Sequence, residues 1–261
     1  MTDTAHRPQT AGDVASPDGH ACALCGQPTT ARRIDWAFIH DEVRRGALSL
    51  ERGLLHTLLR LLFQPGRLLR DYLDGHRAGY VKPLWLLLST AALVTLLNRY
   101  APGVGAFAGS SAEAQAASGA DAAGSILAQS YQQTSQWASA HLALATLIVL
   151  PLEAACLKLA FWRVRGLNYP EWLTITAYLT AQTFLVWSLG IVLRTAMPDA
   201  EAWAMQAAML YLVASLMLTF RDLAWWNTML RGIAGLTSYI VAATGILAIA
   251  LVLFVRVAGV R

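Results

Sequence analysis

The sequence predicts an all-α integral membrane protein, with five transmembrane helices preceded by cytosolic helices that lie at the membrane interface. Three observations carry that reading. Of 261 residues 56% are hydrophobic and only 14% charged, against about 25% charged in a soluble domain, and the mean hydropathy is +0.45. Several apolar stretches approach the roughly 20 residues a helix needs to cross hydrocarbon. The cationic residues divide unevenly between the segments that those stretches separate.

Residues 1–33 are polar and without helical or strand periodicity, so a disordered leader is expected, ending in the motif Cys22-Ala-Leu-Cys25-Gly26-Gln27. The start MTDTAHRPQT lacks the apolar core of a secretory signal, which keeps the N-terminus in the cytosol. Residues 34–81 read as short amphipathic helices. Ile34, Ala37 and Phe38 share a helical face, while Asp41, Glu42, Arg44 and Arg45 lie largely elsewhere. Ser49 can cap a helix carrying Leu54, Leu55, Leu58, Leu59, Leu61, Leu62 and Phe63. At about ten residues and 15 Å it reaches half the hydrocarbon thickness. Pro65-Gly66 breaks it, and in the helix that follows Leu68, Leu69, Tyr72 and Leu73 oppose Arg67, Arg70, Asp71 and Asp74. These helices are expected to lie with apolar faces in the inner leaflet and arginines among the headgroups.

The remaining 82–261 form the transmembrane domain, with spans expected at about 82–98, 141–162, 173–193, 203–220 and 233–255. Pro83 suits a helix start, where its missing N–H costs nothing. Residues 101–140, rich in Ala, Gly, Ser and Gln with only Glu113 and Asp121 charged, read as a low-complexity outer loop. Trp162, Trp172, Trp203, Trp225 and Trp226 fall near span ends, where an indole is half wet and half apolar. With the N-terminus inside, the inner segments hold sixteen Lys and Arg and the outer ones four, Arg99, Arg194, Arg256 and Arg261, so the C-terminus is expected outside. The net charge of +4 is therefore a topology signal. Nucleic acid is not an expected partner, because nine acids before residue 75 nearly neutralise the N-terminal cations.

Read in order, Cys22-Ala-Leu-Cys25-Gly26-Gln27, Arg33-Ile34, Leu62-Phe63-Gln64-Pro65-Gly66-Arg67, Tyr72-Leu73-Asp74-Gly75-His76-Arg77-Ala78-Gly79-Tyr80 and Pro83 resemble a family of bacterial inner-membrane proteins known only as a domain of unknown function. The resemblance covers about residues 22–98. It implies a zinc-ribbon-like knuckle, a juxtamembrane motif, several membrane helices and a bacterial plasma-membrane location, with no established activity. Many members carry two Cys-x-x-Cys pairs, and the upstream pair is missing here.

A structural zinc site takes four ligands. Cys22 and Cys25 supply two, with His20 and His6 the nearest others, so zinc held with those histidines or between two chains stands beside a degenerate knuckle with free thiols. Cys156 lies inside the second span. Glu153 falls near the middle of that span, two residues after a kinking Pro151, and an intramembrane carboxyl defaults to a functional role. Lys158 lies about 140° around the helix and does not share its face. Counting equal depths along antiparallel spans aligns Glu153 with Gln182 and Tyr211, an expected buried polar layer in which the carboxyl is held as the acid and donates a hydrogen bond. Arg67, Arg70, Arg77 and Tyr80 form a juxtamembrane cluster suited to anionic headgroups. Ala234, Ser238 and Ala242 form a small-residue row on which another helix can pack, within the chain or from a second copy.

Gly-x-Ser-x-Gly, phosphate-loop and His-Glu-x-x-His motifs are absent, as are paired carboxylates. The expectation is a non-enzymatic membrane module that binds a partner protein or lipid at its cytosolic face. The competing expectation is a small carrier or lipid-translocating protein working through a hydrated site at Glu153.

Overall fold

The computed structural model describes residues 34–40, 50–100, 133–162, 164 and 166–257, apart from 38, 78 and 135. The expected leader with Cys22 and Cys25 and most of the outer loop lie outside the described residues. The longer helices among them are α1 (Leu50–Phe63), α2 (Pro65–Leu73), α3 (Pro83–Tyr100), α4 (Leu142–Ala160), α5 (Tyr169–Leu193), α6 (Ala200–Thr219) and α7 (Trp225–Val257), and no strand forms among the described residues.

Among the described residues four helices are long and apolar enough to cross a membrane: α4, α5, α6 and α7 from Trp225 to Leu247. The expected count of five is corrected, because α3 forms where a span was expected but is not one of these four. Its 18 residues end in Asn98-Arg99-Tyr100. The part before Asn98 is about 15 residues or 22 Å long, short of about 30 Å of hydrocarbon.

α5 is the hub. Asn168 donates its backbone N–H to the Glu171 carboxylate at 2.6 Å, one arm of a capping box, and Pro170 occupies the first turn. The helix therefore starts at Tyr169, a turn earlier than expected. Most of its length is buried, with α6 and α3 its most extensive partners and α4 alongside. Thr176, Thr180 and Thr183 each satisfy their hydroxyls on the carbonyl four residues back, which lets them sit in an apolar surround. Phe161, Trp172 and Phe220 stack with centroids 5.1–5.6 Å apart and tie the ends of α4, α5 and α6 together.

α3 runs parallel to α5 in a fixed register. The Tyr178 hydroxyl donates to the Val81 carbonyl at 2.7 Å just before α3 begins, and Arg194 donates to Asn98 at 3.2 Å near its end. Before Tyr178, α5 meets the first residues of α3, Pro83 and Leu84 lining a small cavity with Leu173, Thr174 and Ala177. α1 and α2 pack at this end as well. The Val81 N–H donates to Thr57 of α1 at 3.0 Å, Tyr72 of α2 sets its ring edge-on to Tyr178, and Arg70 donates to the Leu218 carbonyl of α6. Tyr211 of α6 donates to the Leu62 carbonyl. The apolar face of α2, expected to turn to lipid, is thus folded onto the bundle, with Leu68, Leu69 and Tyr72 buried. Only α1 keeps an outward apolar stripe, of Leu55, Leu59, Leu62 and Phe63.

α7 lies against α4 and α6 with most of its surface exposed. The row is not a packing face within the chain: Ala234 and Ser238 are exposed, and the close approach is at Gly235, where a Cβ would stand 2.8 Å from the Leu157 side chain. A rotation of about 100° per residue puts Gly235 on a different face from Ala234.

At Gly66 a Cβ would sit 2.5 Å from the Leu218 backbone carbonyl, a contact that a main chain cannot yield. Gly66→Ala is expected to lower stability by about 1–3 kcal/mol through overpacking. Thermal unfolding in detergent measures it; a variant as stable as the parent would contradict this packing of α2 on α6.

Candidate functional site

The expected polar layer resolves into separate pairs. Glu153 is buried and its Oε2 lies 3.2 Å from the Thr180 hydroxyl of α5. Gln182 donates its amide N–H to the Ser215 hydroxyl of α6 at 2.8 Å. Tyr211 turns its hydroxyl to Leu62, and only its carbonyl meets the layer, accepting from Ser215 at 2.8 Å. Thr180 and Gln182 are two residues apart on α5, about 200° around a helix, so one faces α4 and the other α6. Equal depth put the groups at one level, but helical phase keeps Glu153 from Gln182.

Around Glu153 the neighbours come from three helices. Thr180 is on α5, Cys156 is buried one turn along α4, and Tyr239 of α7 lies within electrostatic reach of both the carboxyl and the thiol. Lys158 extends its ammonium over the Tyr169 ring, 5.8 Å from the centroid, confirming that it does not share a site with Glu153. The Tyr169 hydroxyl donates to the Pro151 carbonyl at 2.7 Å, a side-chain bond to the backbone at the proline turn.

The juxtamembrane residues form a second constellation. Tyr80 donates to Asp71 at 3.1 Å and accepts from Arg60, which also pairs with Asp71 at 3.3 Å. His56 stacks on the Tyr80 ring at 5.8 Å. Burial, reinforced by the Asp71 carboxylate, raises the Tyr80 phenol above its ordinary value, while Arg60 pulls it down. Of the expected headgroup residues, Arg70 is turned to the Leu218 carbonyl, and Arg77 donates to the Tyr72 carbonyl at 3.2 Å with its guanidinium over that ring. Arg67 is exposed, its bond to Gln64 a long 3.4 Å. Arg60 and Asp71 were not singled out by sequence, although Arg60 lies on the polar side of the amphipathic helix and signals a partner.

A third cluster was missed outright. Arg194 and Glu201 pair at 3.0 Å with side chains 4% and 6% exposed, Trp187 donates to the other Glu201 oxygen at 2.9 Å, and Asn98 accepts from Arg194. Arithmetic on loop charges treated Arg194 as a solvated outer residue. The signal available was a lone Arg and Glu seven residues apart across Pro198, with a tryptophan one face behind.

Among the described residues no group of three or more His, Cys, Asp or Glu could hold a metal. Cys22, Cys25, His20 and His6 lie outside them. Residues 51–95, which comprise nearly all of α1, the whole of α2, the crossing segment and most of α3, are similar to a family described as "Protein of unknown function (DUF3667)". No curated protein and no solved structure matches the chain.

Glu201→Gln leaves a buried guanidinium without its counter-charge, and a cost of about 3–5 kcal/mol is expected. Joint replacement of Arg194 and Glu201 by apolar residues of similar volume should cost less than the single change; chemical denaturation of both variants tests it, and a larger loss in the double variant would refute it. Tyr80 contributes stability that is present below the ordinary tyrosine range and is lost as pH climbs through its raised value. Alkaline spectrophotometric titration of parent and Tyr80→Phe should show one late-ionising phenol missing from the variant, which is also expected to lose about 1 kcal/mol of stability.

Proposed function

We propose that this chain is a non-enzymatic integral membrane module of a bacterial inner membrane that holds anionic lipid at its cytosolic face, where α1 and α2 meet the bundle. The observation that carries the reading is the outer face of α1. Its inner side buries Thr57 and Leu61, while Leu55, Leu59, Leu62 and Phe63 stand exposed in a row at helical spacing. Arg67, exposed just past the Pro65-Gly66 break, adds a cationic group beside that row. An apolar stripe next to a guanidinium is the chemistry that takes an acyl chain and its phosphate together.

The distribution of cations supports the cytosolic assignment, and the indoles mark the two interfaces. Trp162, Trp225 and Trp226 are exposed at the end of the bundle where Phe161, Trp172 and Phe220 stack, and Trp203 is exposed towards the opposite end, as two interfacial belts require. This arrangement puts the N-terminal side of α3 and the far end of α7 at opposite faces, with the stretch through Val81 and α3 together carrying the chain from the Trp172 end to the Arg194 end beside the four longer helices.

The test is purification in mild detergent followed by mass spectrometry of the lipids retained. One cation near the surface is worth about 1 kcal/mol, so Arg67→Ala is expected to lower retained anionic lipid about fivefold. Replacing Leu59 and Phe63 by Asn should lower retention of lipid of every headgroup class. Equal retention by the parent and both variants would overturn the proposal.

A further inference from the structure

Glu153 has a place in the bundle that the cytosolic-face reading leaves unused. Among the described residues its hydrogen-bond partner is Thr180, and that contact can be decided by counting protons. A threonine hydroxyl has one proton to donate. The Thr180 oxygen lies 2.9 Å from the Thr176 carbonyl and 3.2 Å from Glu153 Oε2. With its proton on the nearer carbonyl, where Thr176 and Thr183 also place theirs, Thr180 has only lone pairs to offer Glu153. The carboxyl is then the donor of that bond, which an ionised carboxylate cannot be.

Among the described residues no cation is positioned to change this. On α4 the other titratable groups are Cys156, beside the site, and Lys158, turned to Tyr169. On α5 no charged residue lies between Glu171 and Arg194, and Tyr178 is bound to Val81. On α3 none lies between its start and Arg99. Between Arg231 and Leu247, α7 offers only Tyr239, a phenol. A carboxylate here would have neither a counter-ion nor a second donor, a costly state in hydrocarbon.

The site also has a way in. Gly235 lets α7 close tightly on Leu157 and Ala160, whereas one turn further Tyr239, the α7 residue within electrostatic reach of Glu153, is only half-buried. The α4–α7 seam is shut at Gly235 and looser at the level of Glu153.

We propose that Glu153 is a proton-binding site in the membrane interior, holding its proton against Thr180 and reachable from the lipid along the α4–α7 seam. The ligand is the proton itself. Its loss removes the α4–α5 hydrogen bond and places a bare negative charge beside Tyr239 and Cys156, so the state of one carboxyl bears on three helices at once.

The probe is N,N′-dicyclohexylcarbodiimide, an apolar reagent, applied to the full chain in native membranes over a pH series. It adds to a carboxylic acid without a leaving group: the acid proton goes to one nitrogen, the carboxyl oxygen bonds the central carbon, and the acyl group then migrates to nitrogen as a stable N-acylurea. Mass spectrometry of the peptide containing Glu153 should show the adduct at neutral pH. Above the site's own midpoint labelling should fall about tenfold per pH unit, while a charged, water-soluble carbodiimide leaves the position unmodified. Glu153→Gln should abolish the adduct; because the adduct is mapped on the parent protein, the result stands even if that variant folds poorly. Absence of the adduct at neutral pH, or equal modification by the water-soluble reagent, would overturn the proposal.

Discussion

The fold depends on one residue whose backbone is satisfied from both sides. The Val81 N–H is taken by Thr57 of α1 and its carbonyl by Tyr178 of α5, both inside the protein. Thr57 spends its own proton on the Gly53 carbonyl at 2.7 Å, so its oxygen is free to accept from Val81. Non-helical backbone can sit at this depth only if protein groups replace the water it lacks. The chain reaches Val81 through Gly75 and Gly79, both at positive φ, where a side chain would be strained. The spacing of Gly75, Gly79 and Tyr80 in the juxtamembrane motif thereby acquires a structural reason, and the match over residues 51–95 spans this whole crossing.

From that point the bundle is held at two ends by unlike means. At the end near Trp172 it is three aromatic rings, whose contact depends little on ionic conditions. At the other it is the buried Arg194–Glu201 pair, braced by Trp187 and Asn98. A buried ion pair is weak evidence of stability, since its desolvation offsets much of its attraction. It is strong on register, because one Arg194 nitrogen reaches both Asn98 and Glu201 while Trp187 takes the other Glu201 oxygen. Asn98 and Glu201 fix α3 and α6 against α5 at the level of Arg194, as the aromatic stack fixes α4 and α6 at the level of Trp172.

The helical membrane class was legible from hydropathy, and the four qualifying helices fall close to their expected places. The fifth was misjudged because a run of leucines reads as a span until Asn98, Arg99 and the start of the helix inside the bundle are considered. Helix starts moved where capping chemistry lay outside the apolar run, as at Asn168 and Glu171. Glu153 and Gln182 could be found from sequence because polar residues in apolar spans are rare. Their partners could not, because phase around α5 separates Thr180 from Gln182 and depth alone does not report it. Arg194 escaped for the opposite reason: a charge near a span end is ordinary, and only the fold shows that it is enclosed. The choice between Ala234 and Gly235 as the packing face turned on a single residue of rotation.

The register of α3 also bears on how the chain is made. Val81 and its partner Tyr178 are 97 residues apart, and Asn98 and Arg194 are separated by 96. A helix this short and this interrupted gains little by entering lipid alone, yet it leaves the ribosome well before the helix that receives it. The groove that seats α1, α2 and α3 is therefore built from helices made after them, and these contacts close only once α5 and α6 exist.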